Sequence, residues 1–182
     1  MKVRIACLAA ALLLSAPALA QDAGKTVGGA PMYSSKNIVE NAVNSKDHTT
    51  LVAAVKAAGL AETLQGSGPF TVFAPTNAAF AKLPSGTVDT LLKPESKTAL
   101  TGVLTYHVVP GRLTAQELVA KVKAGGGMTT LKTVQGETLT VMQAGSGLSI
   151  KDKKGGTSSV TISDVMQSNG VIHVVDTVLL PG

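Results

Sequence analysis

Three histidines, His48, His107 and His173, are the side chains of this 182-residue chain that change charge near neutral pH without strong perturbation. Acid–base catalysis or metal binding would begin with them, yet none has a partner at a metal-ligand spacing. His48 stands beside Asp47 ahead of a helical pattern and reads as a solvated turn residue. His173 lies among Val171, Ile172, Val174 and Val175, apolar on both faces of a strand, and reads as a buried, hydrogen-bonded histidine. His107 follows Tyr106 where a helical segment gives way to an apolar strand, and its role stays open between packing and contact.

Other chemistry is sparse. No G-x-S-x-G elbow, paired-histidine motif or glycine-rich nucleotide fingerprint occurs. Gly24-Lys25-Thr26 imitates the end of a phosphate-binding loop, but Leu19 occupies the place of the required first glycine. The carboxylates are scattered, and Asp164 and Asp176 flank strands, where turn hydrogen bonding accounts for them. The single cysteine, Cys7, falls in an N-terminal apolar run, so disulfides, thiolate metal sites and cysteine nucleophiles are excluded from the rest of the chain. The expectation is a protein that is not an enzyme and carries no cofactor or metal. Nucleic acid is an unsuitable partner. Tryptophan is absent, Phe70, Phe73 and Phe80 fall in an apolar motif, and the lysines are dispersed. Lys151, Lys153 and Lys154 do cluster, but the adjoining Gly155-Gly156 marks a solvated hairpin tip.

The elements that position these residues begin after a leader. Residues 1–20 combine Lys2 and Arg4, an apolar run from Ile5 to Leu14, and the small-residue exit Ala18-Leu19-Ala20, the three parts of a secretory signal. Its removal lowers the formal charge from +5 to +3 and implies export to the periplasm or the extracellular space. The run is too short to span a bilayer, and no later segment approaches the ~20 apolar residues needed, so no transmembrane segment is expected. Residues 21–33, with Gly24, Gly28, Gly29 and Pro31, read as a flexible leader, and residues 34–182 as one domain.

Within that domain, Leu51, Val52, Val55 and Ala58 recur at helical spacing, with Asp47 or Thr49 as a possible cap and Gly59 as the stop. Pro94-Glu95 opens a second helix with Leu100, Val103 and Leu104 on one face. Thr114 and Glu117 form a capping-box pattern, with Leu113 placed to staple against Leu118 and Gly125 as the stop. The period then changes. Leu139/Val141, Leu148/Ile150 and Val160/Ile162 alternate with polar residues, as half-buried antiparallel strands do. Asn169-Gly170 predicts two left-handed residues in a tight hairpin turn. Helices first and strands later give an α+β domain.

The segment from Gly68 to Pro84, GPFTVFAPTNAAFAKLP, encodes a buried strand from Phe70 through Ala74 that includes Phe73, a stop at Pro75, and a helix from Asn77 capped by Thr76 and carrying Phe80. With YHVVPG at Tyr106–Gly111 and NGVIHVVDTVLLP at Asn169–Pro181, it resembles the signatures of the fasciclin-like domain family, in the family's order, over residues 34–182. One departure is visible: Asn77-Ala78-Ala79 is neutral where members often carry acidic residues. The resemblance marks Phe70, Phe73, Pro75, Thr76, Asn77, Phe80, Asn169, Gly170, His173 and Asp176 as structural positions. It implies a compact β-sandwich or wedge of antiparallel strands flanked by several helices. It also implies binding to a cell-surface or extracellular-matrix component, protein or polysaccharide, with Tyr106, His107, Val108, Val109, Pro110, Gly111 and Arg112 as the candidate contact. Two readings of Tyr106-His107 compete: contact with a partner, or burial with both polar groups paired. A second function, carriage of a small apolar molecule between helices and sheet, is compatible with the many leucines and valines. No residue pattern specifies an oligomeric state.

Overall fold

The computed structural model describes residues 24–182. The signal proposed for residues 1–20 lies outside the described residues. In chain order the first half holds β1 (Lys25–Val27), β2 (Ala30–Met32), α1 (Ile38–Ala42), α2 (Thr49–Ala58), α3 (Ala61–Gln65), β3 (Phe70–Pro75), α4 (Asn77–Ala81) and α5 (Thr87–Leu91). The second half holds α6 (Lys97–Tyr106), β4 (Val108–Pro110), α7 (Ala115–Ala124), β5 (Met128–Lys132), β6 (Thr138–Ala144), β7 (Gly147–Lys151), β8 (Thr157–Gln167) and β9 (Gly170–Val175). Helices dominate early and strands late, in an α+β arrangement.

Strands β3 to β9 form one seven-stranded sheet in the order β4-β3-β9-β8-β7-β6-β5. Its two ends approach each other. The Val134 N–H donates to the Val108 carbonyl at 2.8 Å, which curls the sheet into a wedge close to a barrel. Neighbours pair antiparallel except β3 and β9, which run parallel in the register Phe70↔Gly170 to Pro75↔Val175. The antiparallel pattern expected from the alternating segments holds for β5 to β8, and the parallel central pair is a departure. Its cause is burial on both faces: β3 and β9 are near-continuous apolar runs, as strands covered on both sides are.

Two apolar cores lie on either side of that pair. On one side, Val72, Ala74, Ile172 and Val174 meet Leu51 and Val55 of α2, Phe80 of α4, and Leu100, Val103 and Leu104 of α6. On the other, inside the wedge, Phe73 and Val175 meet Tyr106, Leu118 and Val122 of α7, and Leu139, Val141, Leu148 and Ile150 of the outer strands. Alternate residues of one strand thus serve different cores.

Local signals mostly form as expected. Thr76 caps α4, its Oγ1 accepting from the Ala79 N–H at 3.2 Å. The capping box of α7 is complete, with the Thr114 hydroxyl and the Glu117 carboxylate each accepting the other's backbone N–H. The reciprocal bonds from Thr114 hold the Glu117 carboxyl below its ordinary range.

Three expectations require correction. The glycine-rich stretch read as a flexible leader is a hairpin from residue 25 to 32, pinned because Val27 and Met32 insert into the helical core. Gly28 belongs to this docking: its carbonyl accepts from Lys46, and a Cβ there would lie 2.4 Å from Ser45 Oγ. Neither Asp47 nor Thr49 caps α2 with its side chain. Asn77 does so from another helix, its Oδ1 accepting from the Thr50 N–H at 3.0 Å while its amide donates to the Lys46 carbonyl at 2.8 Å. A neutral amide supplies both a donor and an acceptor, which a carboxylate cannot. Finally, the β8–β9 turn is Ser168-Asn169, and neither Asn169 nor Gly170 is left-handed. Gly170 is required by proximity, since a Cβ would lie 2.1 Å from the Phe70 carbonyl oxygen. Asn169 accepts from the Ile38 N–H and donates to the carbonyls of Leu64 and Gly66, tying three elements together.

Candidate functional site

The segment Tyr106–Arg112 runs from the end of α6 through β4 into the loop before α7. β4 pairs antiparallel with β3, so its side chains are drawn into the two cores: Val108 joins the helical one and Val109 the wedge. Tyr106 is fully buried and its hydroxyl ties β6 to the β7–β8 turn, donating to the Thr138 carbonyl at 3.1 Å and accepting from the Lys153 N–H at 3.0 Å. Burial is the main cause that raises its pKa.

His107 is equally committed. The Leu179 N–H donates to Nε2 at 3.0 Å, so Nε2 carries no proton, and Nδ1 donates to the Val103 carbonyl at 2.7 Å. A proton on Nε2 would break the Leu179 bond and place a charge in the core. Burial accordingly lowers the pKa of His107 to about 4. Neither nitrogen is left to act as a base. Tyr106 through Val109 are therefore walled in on every side. Of the seven candidate contact residues, Pro110 and Arg112 are exposed and Gly111 is partly so.

That exposed end is held by polar bonds. The Thr71 hydroxyl donates to the Gly111 carbonyl at 2.6 Å, and the Gly111 N–H donates to the Pro69 carbonyl at 2.9 Å. Gly111 itself adopts φ +100°, a conformation that side-chain-bearing residues rarely take. The Arg112 guanidinium donates to the carbonyls of Gln167 and Ser168 at 3.1 and 3.4 Å, spanning from the loop to the β8–β9 turn. An open groove of ≈ 440 Å³ lies there, lined by Ser34, Arg112, Met166, Gln167 and Ser168. Apart from Arg112, these residues escaped the sequence reading. The available signal was the turn beside Asn169, but only the fold brings it to Arg112.

The other histidines divide. His173 is buried as expected, its Nε2 donating to the Leu113 carbonyl at 2.7 Å and its ring stacked on Phe73 with centroids 5.7 Å apart. Burial lowers its pKa. The expectation for His48 fails: it is buried, with Nδ1 2.9 Å from Ser45 Oγ, because the N-terminal hairpin and α1 close over it. Burial again lowers the pKa. Asp176 accepts from Ser159 N–H and Ser158 Oγ, and pairs with Lys82 at 3.5 Å; Asp164 accepts from the Ala115 N–H at the start of α7. Each carboxylate thus serves a turn or helix end.

Between the helices and the sheet lies an apolar cavity lined by residues including Val39, Leu51, Val55, Leu64 and Leu104. Its volume is ≈ 40 Å³. Sites for small molecules occupy roughly 300 Å³ or more.

A family model described as Fasciclin domain matches residues 46–181. The chain belongs to the fasciclin domain family. It is 49% identical to Protein sll1483 of Synechocystis sp. over 157 residues, covering 85% of this chain and 79% of that protein. It is 38% identical to immunogenic protein MPB70 of Mycobacterium bovis over 145 residues, covering 77% of this chain and 66% of that one. A FAS1 domain pair from the insect cell adhesion molecule Fasciclin I shares the fold, with a TM-score of 0.71 at 20% identity. That match covers 80% of this chain and 51% of the insect chain. Thus the fasciclin assignment rests on both sequence and fold. Among the described residues, no helix is long and apolar enough to cross a membrane.

Proposed function

We propose that this fasciclin-family chain is an exported binding module that attaches to a component of a cell surface or extracellular matrix. Its contact is the groove lined by Arg112, Met166 and Ser168. The observation that carries this reading is the partition of the Tyr106–Arg112 segment. Its first four residues are consumed by the cores, while its last three reach the surface and Arg112 lines an open groove. The adhesion molecule that shares the fold supports the class of function. Binding is favoured over catalysis because His107, the histidine of this segment, has both nitrogens engaged by backbone.

The test is saturable binding of labelled protein to intact cells of its source, compared with the variant S168E. Ser168 is exposed at the turn, so a longer, charged side chain fills the groove without entering a core. Loss of binding with unchanged unfolding supports the assignment. Undiminished binding places the contact elsewhere.

A further inference from the structure

A second surface has a different chemistry. Strands β5, β6 and β7 send Leu131, Leu139, Val141, Leu148 and Ile150 into the wedge core, and Val160 of β8 packs against it. Since alternate residues point to opposite faces, the intervening residues form the outer face. The register sets them in rungs across the sheet. Lys132 pairs with Thr138; Thr130, Thr140, Lys151 and Thr157 form the next rung; Met128, Met142, Ser149 and Ser159 form the third. Neighbouring strands lie about 4.8 Å apart, so the first two rungs present rows of threonine hydroxyls; in the third, Ser149 is buried and its hydroxyl donates to the Ser158 carbonyl at 3.3 Å.

Charge on this face has one sign. Lys132 and Lys151 are exposed on it, and Lys153 and Lys154 stand on the adjoining β7–β8 hairpin tip. The two nearby carboxylates are turned toward backbone: Asp152 accepts from the N–H groups of Gly156 and Leu180, and Glu137 from that of Gly182. Among the described residues, no ion pair involves any of these four lysines. The face also carries no aromatic ring, because Phe70, Phe73, Phe80 and Tyr106 lie in or against the cores and Tyr33 follows the N-terminal hairpin. Single-stranded nucleic acid is bound on aromatic stacking platforms, and membrane interfaces favour Trp and Tyr. Rows of threonine hydroxyls with unpaired lysines instead match a ligand that offers many hydroxyls and regularly spaced carboxylates.

We infer that the outer face of β5–β7 is a binding surface for an acidic polysaccharide, with Lys132 and Lys151 as the charged contacts and Thr130, Thr138, Thr140 and Thr157 as hydrogen-bonding partners. This goes beyond the groove reading. Thr157 and Gln167 are the two ends of β8, so the surfaces are separated by up to about 30 Å, the length of an 11-residue strand. A module with two such surfaces can bridge a polysaccharide and a second component.

The test titrates labelled protein with polygalacturonate, using dextran as the neutral polymer and duplex DNA and phosphatidylglycerol vesicles as other polyanions, at low and near-physiological ionic strength. Expected are saturable, salt-weakened binding to polygalacturonate, none to dextran, and weaker binding to DNA and vesicles. The variant K132Q/K151Q should bind polygalacturonate about tenfold more weakly, from two modest exposed charge contacts. K93Q/K97Q, at the helical side, and S168E should bind it as the parent does. Absent polygalacturonate binding, equal loss in K93Q/K97Q, or equally tight binding to DNA or vesicles overturns the inference. Cell binding by the same variants separates the two proposals. Retention by S168E with loss in K132Q/K151Q contradicts the groove and keeps the sheet face, and the reverse, with no polygalacturonate binding, contradicts the sheet face and keeps the groove.

Discussion

Tyr106–Val109 and Pro110–Arg112 are adjacent in sequence and lie in different physical worlds. In the first group each polar side-chain atom is partnered inside the protein, and the apolar ones divide between two cores. In the second the backbone is anchored to β3 while Arg112 lines an open groove. The difference teaches that a substitution in the buried group changes binding only by changing the folded population. Substitution in the exposed group can change binding directly.

The strongest way to break this contrast is H107A. It leaves the Leu179 N–H and the Val103 carbonyl without their partner and opens a cavity, so it should cost about 3 kcal/mol in urea unfolding. Residual binding should track the folded fraction. Acid probes the same residue without mutation. The folded pKa of His107, about 4, lies below the ordinary 6.5, so between those values the unfolded chain takes a proton that the folded chain refuses. Stability from this group is fully present above about pH 6.5 and declines as pH falls toward 4, by up to about 3 kcal/mol. His48 and His173, shifted in the same direction, steepen the decline. Thermal unfolding across this range should show a falling midpoint, and a flat profile would contradict the neutral, buried assignment.

Y106F is a smaller perturbation. It keeps the ring and removes the hydroxyl that joins Thr138 to Lys153, for an expected loss of about 1–2 kcal/mol. Hydrogen exchange should quicken at Lys153, and cell binding below the unfolding transition should be unchanged. Smallest in stability is S168E, within about 0.5 kcal/mol of the parent, as for most exposed positions. It should nonetheless have the largest effect on binding.

Legibility in the sequence followed how local the cause was. The Thr114–Glu117 capping box and the alternation through β6 and β7 are written in neighbouring residues, and both formed as read. The burial of His173 also follows from the apolar run around it. Non-local causes were hidden. Asn77 caps a helix that precedes it by some twenty-eight residues, and Val27 and Met32 are isolated apolar residues whose partners come from other elements. His48, flanked by polar residues, is buried only because the hairpin and α1 pack over it. The candidate contact was half legible for the same reason: the motif named the segment, but β4's pairing with β3 decides which end is covered.

The most direct test of the account is to measure unfolding and cell binding on the same preparations of Y106F and S168E. Y106F should be destabilised yet bind as the parent does once folded, and S168E should unfold like the parent yet fail to bind. Weak binding by fully folded Y106F together with normal binding by S168E would contradict the groove assignment and return the contact to the buried tyrosine.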